Sequence, residues 1–251
     1  MTERKVEEDI RNLQKNFLKI KSMGYVKGIR GGSTGVGATF EALLGKDEDQ
    51  SELPDFGTIE IKTRRAYSKS LISLFNAVPK GESDFEVKRL RDKYGYPDKI
   101  DKNLKRLNTA VSATKMTKVG LFYYFKLKLD KEKEKLILCI YDWNKVLIDE
   151  STYWEFSILK EKLYRKLSVL AVINAWTNKI DGIESFKYYK MNIYILRSFA
   201  YFIKALEEGF IKIKIKIGNN YTKERYGEVN SSGISFAIKE EDLFKIFDYY
   251  R

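Results

Sequence analysis

The chain has 251 residues, 43% of them apolar and 14% aromatic, which is enough to bury a substantial core and excludes an intrinsically disordered chain. Its net charge of +12 is carried together with 35 acidic residues, so the surface is mixed with a basic excess, which fits a polyanionic partner and equally the Lys-, Ile- and Tyr-rich composition of an AT-rich genome. Histidine is absent, which removes His-based zinc sites, Ser-His-Asp and Cys-His nucleophile systems and histidine general bases, and leaves carboxylates, Lys, Tyr or a metal to carry any chemistry.

Residues 3–22 place Val6, Ile10, Leu13, Phe17 and Leu18 at helical spacing, the pattern of an amphipathic helix with a charged outer face. The leading segment is too charged for a secretion signal, and no apolar run approaches the roughly twenty residues of a membrane span. A soluble intracellular protein without membrane contact is expected. Gly28-Ile-Arg-Gly-Gly-Ser-Thr-Gly-Val-Gly37 then feeds a helical stretch, 38–44. Such a turn can bring backbone N–H groups to a phosphate, with Arg30, Ser33 and Thr34 as DNA contacts, and it serves equally as a plain turn with Ser33 or Thr34 capping the helix. It matches neither a Walker loop nor a dinucleotide fingerprint. On the helix, Phe40, Leu43 and Leu44 form the buried stripe and Glu41 lies at its edge.

The central stretch is Pro54-Asp-Phe-Gly-Thr-Ile-Glu-Ile-Lys62. Residues 58–63 alternate and are β-branched, so they read as a strand whose Glu60 and Lys62 share one face while Ile59 and Ile61 point into the core. Pro54 stiffens the approach and Gly57 lets it bend, bringing Asp55 beside Glu60. Converging carboxylates repel unless a cation joins them. Hard oxygen ligands suit Mg²⁺, and a lysine on the same face can orient a water and offset charge on a phosphate. Asp55, Glu60 and Ile61 form the candidate metal site, with Lys62 the catalytic lysine and Glu41 a third carboxylate. Taken alone, these nine residues fit better an edge strand with a solvated Glu and Lys on its outer face; the surrounding sequence shifts the balance.

Arg64, Arg65 and Lys69 follow as candidate DNA contacts, then a strand, 71–75, and a helix, 84–93. Residues 94–118 read as a long basic loop, including Lys118, that lines a DNA groove or is disordered. A hairpin is expected over 120–129 and 135–142; Cys139 within it is a buried small hydrophobe, and one cysteine excludes a disulfide framework. Next come a helix, 153–163, strands 167–175 and 188–195, and a helix, 198–207. Ile211, Ile213, Ile215 and Ile217 alternate with Lys212, Lys214 and Lys216, a strand with one buried and one basic face. The loop 218–233 carries Tyr221, Lys223, Arg225, Tyr226, Asn230, Ser231 and Ser232, able to donate and accept at base edges. A strand, 234–238, and a terminal helix close the chain.

The run Gly31-Gly-Ser-Thr-Gly-Val-Gly-Ala-Thr-Phe-Glu-Ala-Leu-Leu, followed by Pro54-Asp-Phe-Gly-Thr-Ile-Glu-Ile-Lys-Thr, closely resembles the MvaI/BcnI family of restriction endonucleases, relatives of the mismatch-repair nicking enzyme MutH. The likeness extends less specifically through Lys69-Ser-Leu, Tyr153-Trp154 and the Ile217-Gly218 loop with Phe236. It implies an α/β (α+β) restriction-endonuclease-like fold of the PD-(D/E)xK type, a mixed central sheet flanked by helices in two lobes around a DNA cleft. Residues 1–90 and 135–185 are expected in the catalytic lobe, and 91–134 and 186–251 in the recognition lobe. The resemblance also implies Mg²⁺-dependent hydrolysis of double-stranded DNA at a short site of CC-centre-GG type, leaving a 5′-phosphate. A monomer that cuts the strands in successive nicks is implied, in the cytoplasm of a prokaryote with a cognate DNA methyltransferase. Asp55, Glu60 and Lys62 match the family's catalytic motif and Glu41 its helical carboxylate. Where relatives carry histidines near the end of the recognition loop, this chain has Asn230, Ser231 and Ser232, so the recognised sequence stays open. So do two other readings, a MutH-like strand-specific nickase and a non-catalytic DNA-binding module.

Overall fold

Val169 to Ala175 is apolar except for Asn174, a run that only a strand covered on both faces can bury. In the computed structural model, which describes residues 2–45, 53–83 and 85–250 apart from the side chains of Ser231 and Ser232, this run is the middle of a mixed sheet. In chain order the elements are α1 (Glu3–Ser22), β1 (Val26–Lys27), α2 (Gly35–Leu43), β2 (Ile59–Arg65), β3 (Ile72–Asn76), α3 (Glu86–Tyr94) and β4 (Tyr96–Pro97). They continue with β5 (Lys105–Val111), β6 (Thr117–Val119), β7 (Tyr123–Asp130), β8 (Lys135–Tyr141), β9 (Leu147–Glu155) and α4 (Phe156–Leu167). The last are β10 (Val169–Ile180), β11 (Ile183–Leu196), α5 (Phe199–Glu207), β12 (Lys212–Asn219), β13 (Val229–Ile238) and β14 (Phe247–Tyr249). Among the described residues no helix is long and apolar enough to cross a membrane.

The chain packs as two compact units, and the division falls within α4. The first holds Met1–Ser70, Leu163–Arg197 and Ile246–Arg251. Its sheet runs β1-β11-β10-β2, with β14 also paired to β11; β2 lies parallel to β10, and β10 and β11 form an antiparallel hairpin. The hairpin turns at Asp181 and Gly182, both at positive φ, as a tight two-residue turn requires. Ile10, Leu13, Phe17 and Ile20 of α1 and Val36 and Phe40 of α2 share one core with Ile59, Ile61, Ala171 and Ile173, so the odd-numbered face of β2 is buried under these helices.

The second unit holds Leu71–Lys162 and Ser198–Lys245, with sheets ordered β3-β13-β12-β5-β4 and β6-β7-β8-β9. Residues 71–90 and 135–162, expected with the catalytic strand, pack here instead because β3 pairs with β13 and β9 pairs with β8; 186–197 and 246–251 go to the first unit because β11 pairs with β10 and β14. The expected basic loop 94–118 is largely strand. Leu107 and Val111 of β5 are fully buried, and β5 is sandwiched between β12 and β4, so alternation beneath the charges decides the structure. The helix expected from residue 153 begins at Phe156, since Trp154 sits opposite Leu136 in β9 and donates its indole N–H to Ala77 O at 3.0 Å. The expected terminal helix is a 3₁₀ turn, Glu240–Lys245, followed by β14, which adds to the edge of β11. β13 starts at Val229, shortening the predicted recognition loop.

A buried ion network ties α3 to β9. Arg89 donates to Glu86 at 2.6 and 2.9 Å, to Asp149 Oδ2 at 2.7 Å and to Thr152 Oγ1 at 2.8 Å, and Tyr94 also donates to Asp149. Burial opposes ionisation of Asp149, but these donors hold its carboxyl well below the usual range. Arg89→Ala would leave Glu86 a buried charge without its cation and Asp149 with only Lys93, at 3.5 Å. It is expected to cost about 3–5 kcal/mol in urea or guanidinium unfolding; a loss under about 1 kcal/mol would show that the network does not hold α3 in place.

Candidate active site and nucleic-acid interface

β2 is launched from a turn that α1 pins. Phe56 and Ile59 exchange two backbone hydrogen bonds of 2.9 and 2.8 Å, and Gly57 sits at φ +57° with no room for a side chain, since a Cβ there would lie 2.4 Å from Asp9 Oδ2. The buried Asp9 accepts Thr58 N–H at 2.9 Å and pairs with Lys5 at 3.0 Å. Burial works against its charge, yet Lys5 and Thr58 hold its carboxyl below the usual range. The turn folds Asp55 back beside β2, where Oδ2 accepts the N–H of Ile61 at 2.9 Å.

From there the period of two takes over. Ile59 and Ile61 enter the core, while Glu60 and Lys62 leave the opposite face, next to Leu170 and Val172 of the parallel strand β10. Glu60 is 0% exposed. Its Oε1 pairs with Lys62 Nζ and lies 3.7 Å from Nζ of Lys166, a residue of α4. Oε2 is buried and has no hydrogen-bond partner among the described residues. Burial pushes the Glu60 carboxyl up to about 7; Lys62 and Lys166 pull against that shift, and the negative charge of Asp55 adds to it.

These features fit a hard divalent cation. Two carboxylates close enough to repel, one with a buried oxygen lacking a donor, form an all-oxygen set. Among the described residues no group of three or more His, Cys, Asp and Glu side chains stands ready to enclose a metal. Asp55 and Glu60 would therefore share the ion with waters, phosphate oxygens and a main-chain carbonyl. For Ile61 only that carbonyl is available, since its side chain is buried and its N–H serves Asp55. Glu41 and Thr63 both lie against Gly37 of α2: a Cβ there would be 3.2 Å from Thr63 Oγ1 and 3.9 Å from Glu41 Oε1. Burial, and then the Glu41 charge, raise the phenol of Tyr188, whose hydroxyl donates to Val36 O at 2.7 Å.

Two of the arginines read as phosphate contacts are used within the first unit. Arg64 is 7% exposed and donates through Nη2 to the carbonyls of Ser68 and Ser70 at 2.5 and 2.8 Å. Arg65 pairs with Glu184, donates to Gly32 O at 2.6 Å and lies over the Phe186 ring, anchoring the glycine-rich turn. That turn is tight: a Cβ on Gly28 would lie 2.7 Å from Glu184 O, and one on Gly35 2.3 Å from Arg30 O. Thr34 occupies the N-cap position of α2 without a side-chain cap bond. Arg30, Ser33, Thr34 and Lys69 are exposed on this unit, and Lys118 on the second.

In the second unit, a groove of about 290 Å³ is lined by Asp98, Arg106, Asn108, Lys216, Tyr221 and Asn230 around Gly218. Register explains the cluster. Lys216 stands opposite Asn108 and Gly218 opposite Asn230, while Arg106 is two residues from Asn108 and so on the same face of β5. Beneath them Asp98 is buried; burial disfavours its charge, but Ile100 N–H, Tyr221, Asn219 and the Arg106 charge hold its carboxyl below the usual range. The basic face of β12 is exposed at Lys216, whereas Lys214 is half-buried, with its ammonium pulled down by burial and then by Lys216. Of the expected loop contacts, Lys223 is exposed, Arg225 bonds Glu228 at 2.7 Å and Tyr226 donates to Asp101. The side chains of Ser231 and Ser232 lie outside the described residues.

Sequence reasoning missed Lys166, which comes to Glu60 from an element about a hundred positions away and has no local signal. It placed Arg106 only within a basic segment lining a DNA groove and did not name Asn108, although their alternation with the apolar Leu107 marks an outward face.

The model of the MvaI/BcnI restriction endonuclease family matches residues 14–247. Among solved structures, the restriction endonuclease MvaI in complex with its cognate DNA substrate is 30% identical, with a TM-score of 0.89 over 100% of this chain and 98% of that one. MvaI in the absence of DNA, at the same identity and coverage, has a TM-score of 0.63. Comparison with curated proteins found no match. The chain belongs to the MvaI/BcnI restriction endonuclease family and is a type II site-specific deoxyribonuclease.

Proposed function

We propose that this nuclease hydrolyses duplex DNA with Mg²⁺ held by Asp55 and Glu60, and that the groove of the second unit reads the base sequence. The observation that carries the catalytic half is Glu60: fully buried, paired to a lysine through one oxygen, and with the other oxygen lacking a donor among the described residues. Bound there, Mg²⁺ supplies Lewis-acid activation of the scissile phosphate and a more acidic water. Asp55 is oriented by Ile61 N–H, so its carboxylate meets the ion without losing rotamer freedom at that moment. Lys62 holds the attacking water and Lys166 adds positive charge where the phosphate becomes more negative. Glu41 acts as a supporting carboxylate from α2.

Recognition rests on chemistry of the same directness. Arg106 and Lys216 offer donors suited to guanine O6 and N7, and Asn108 and Asn230 can pair with adenine edges. The exposed Lys69, Lys118 and Lys223 neutralise phosphates. The protein acts as a monomer, and a DNA methyltransferase of matching specificity protects the host's own sites. Incubating purified protein with unmethylated phage DNA and Mg²⁺, then sequencing the ends, tests the whole reading. Discrete fragments sharing one end sequence, abolished by EDTA, are expected; open circles without linear product from a plasmid would favour a nickase.

Glu60 sets a pH dependence in two opposite senses. Its folded, metal-free carboxyl keeps its proton up to about 7 against 4.5 for the ordinary group, so its contribution to stability is present below 4.5 and lost as pH rises through 7. Glu60→Gln is therefore expected to abolish Mg²⁺-dependent cleavage while stabilising the metal-free protein at pH 8 by up to roughly 3 kcal/mol, with little effect at pH 4. Equal melting temperatures for the two proteins at pH 8 would refute the buried-charge account. Because metal binding needs the ionised form, wild-type cleavage should rise with pH through about 7.

The two lysines should separate in kinetics: Lys62→Ala is expected to lower kcat by about 10²–10⁴ and Lys166→Met by about 10–100, with duplex binding retained in both. Wild-type turnover in Lys166→Met would remove that residue from the site. In the groove, Arg106→Ala should relax preference at one position of the recognised site at a cost of about 1–3 kcal/mol, whereas Lys69→Ala should weaken all duplexes alike and flatten the salt dependence by about one unit of slope. A uniform loss across sequences in Arg106→Ala would argue against base readout there.

A further inference from the structure

The loop leaving β2 carries an aromatic side chain that the scheme above does not use. Tyr67 is 87% exposed, and its backbone sits at φ 60°, a region where a bulky side chain is an outlier and glycine or asparagine is the usual occupant. Such a conformation persists only where its surroundings over-determine it. Here they do. Arg64 clamps the carbonyls of Ser68 and Ser70 at 2.5 and 2.8 Å, Ala66 N–H is bonded to Ala175 O at 2.7 Å, and the hydroxyls of Ser68 and Ser70 meet at 2.8 Å.

The ring is braced as well as presented. Tyr67 lies edge-on to Trp176 with centroids 5.2 Å apart, and Trp176 stacks on Tyr189 at 4.8 Å and 21°. The fold thus strains its backbone to hold a large ring in solvent at the end of the strand that carries Glu60 and Lys62. Tyr67 lies five positions beyond Lys62, a span of at most about 18 Å, or about five rises of duplex DNA.

We propose that Tyr67 is a DNA-contacting wedge: its ring stacks against a base step of the bound duplex, partly unstacked to receive it, within about five base pairs of the cleaved bond. Partial unstacking opposes such an insertion, so a wedge needs stiff backing, and the Trp176–Tyr189 pair and the Arg64 clamp provide it. The inference rests on the reading of Asp55, Glu60 and Lys62 as the DNA-cutting centre, which brings duplex DNA to this end of β2.

Tyr67→Gly separates function from folding, because glycine removes the ring and relaxes the positive φ together. This variant is expected to melt at or above the wild-type temperature yet cleave its duplex between about five- and about 150-fold more slowly. Tyr67→Phe, which keeps the ring, should retain the wild-type rate. With 2-aminopurine placed in turn at each position within five base pairs of the cut, wild type and Tyr67→Phe should brighten one position on binding without divalent metal, and Tyr67→Gly should not. Cleavage by Tyr67→Gly within twofold of wild type, or no position brightened by the wild type, overturns the wedge. Failure of the underlying reading looks different: the wild type itself would leave every duplex intact in Mg²⁺, and the wedge would fall with it.

Discussion

A carboxylate with no exposure to water, held beside two lysines and a second carboxylate, is the constraint around which the first unit is arranged. Burial alone would neutralise Glu60, and the lysines only partly oppose this, leaving the group poised near neutrality. Glu60 owes its burial to its neighbours in the sheet: it lies level with Leu170, itself fully buried, of a strand covered on both faces. Asp55 adds a second negative charge, and it is fixed there by the turn that Asp9 and Gly57 define. A positive ion between the two carboxylates relieves both the repulsion and the desolvation.

β2 is the spine of this arrangement, and each of its faces does separate work. Ile59 and Ile61 bind the strand to α1 and α2, Glu60 and Lys62 pair on the opposite face, and Arg64 and Arg65 reach forward to hold two loops by their carbonyls. A substitution at either arginine would therefore act through loop position, with the glycine-rich turn depending on Arg65 and the Tyr67 loop on Arg64. Guanidinium suits this role because its planar fork donates several bonds at fixed angles, which lysine cannot do.

Features with a short period were legible in the sequence. The alternation of residues 58–63 placed Glu60 and Lys62 on one face, the apolar spacing of residues 3–22 defined α1, and the apolar run from Leu167 marked the central strand. Reading failed where charge concealed a pattern or where partners were distant. Residues 94–118 looked like a loop because lysines outnumber anchors there, yet Leu107 and Val111 suffice to seat β5 between two neighbours. For Arg64 and Arg65 the sequence displays the charge and hides the carbonyls and the Glu184 carboxylate that they hold. Lys166 was invisible for the same reason in reverse: nothing near it in the chain shows that α4 ends beside Glu60.

The buried acids of this chain separate scaffold from site by a physical criterion that sequence cannot supply. Asp9, Asp98 and Asp149 are all withdrawn from water, and each is surrounded by enough donors and cations to depress its pKa despite burial. They behave as staples, holding a turn, a groove floor and a helix, and have no unmet need for a further positive charge. Glu60 moves the other way, because its burial outweighs the partners it has and one oxygen is left without a donor among the described residues. A folded chain tolerates that imbalance at a cost to its own stability. The imbalance is also what gives a cation, and the phosphate that travels with it, a free-energy reason to bind at this point on the protein rather than at its better-satisfied carboxylates.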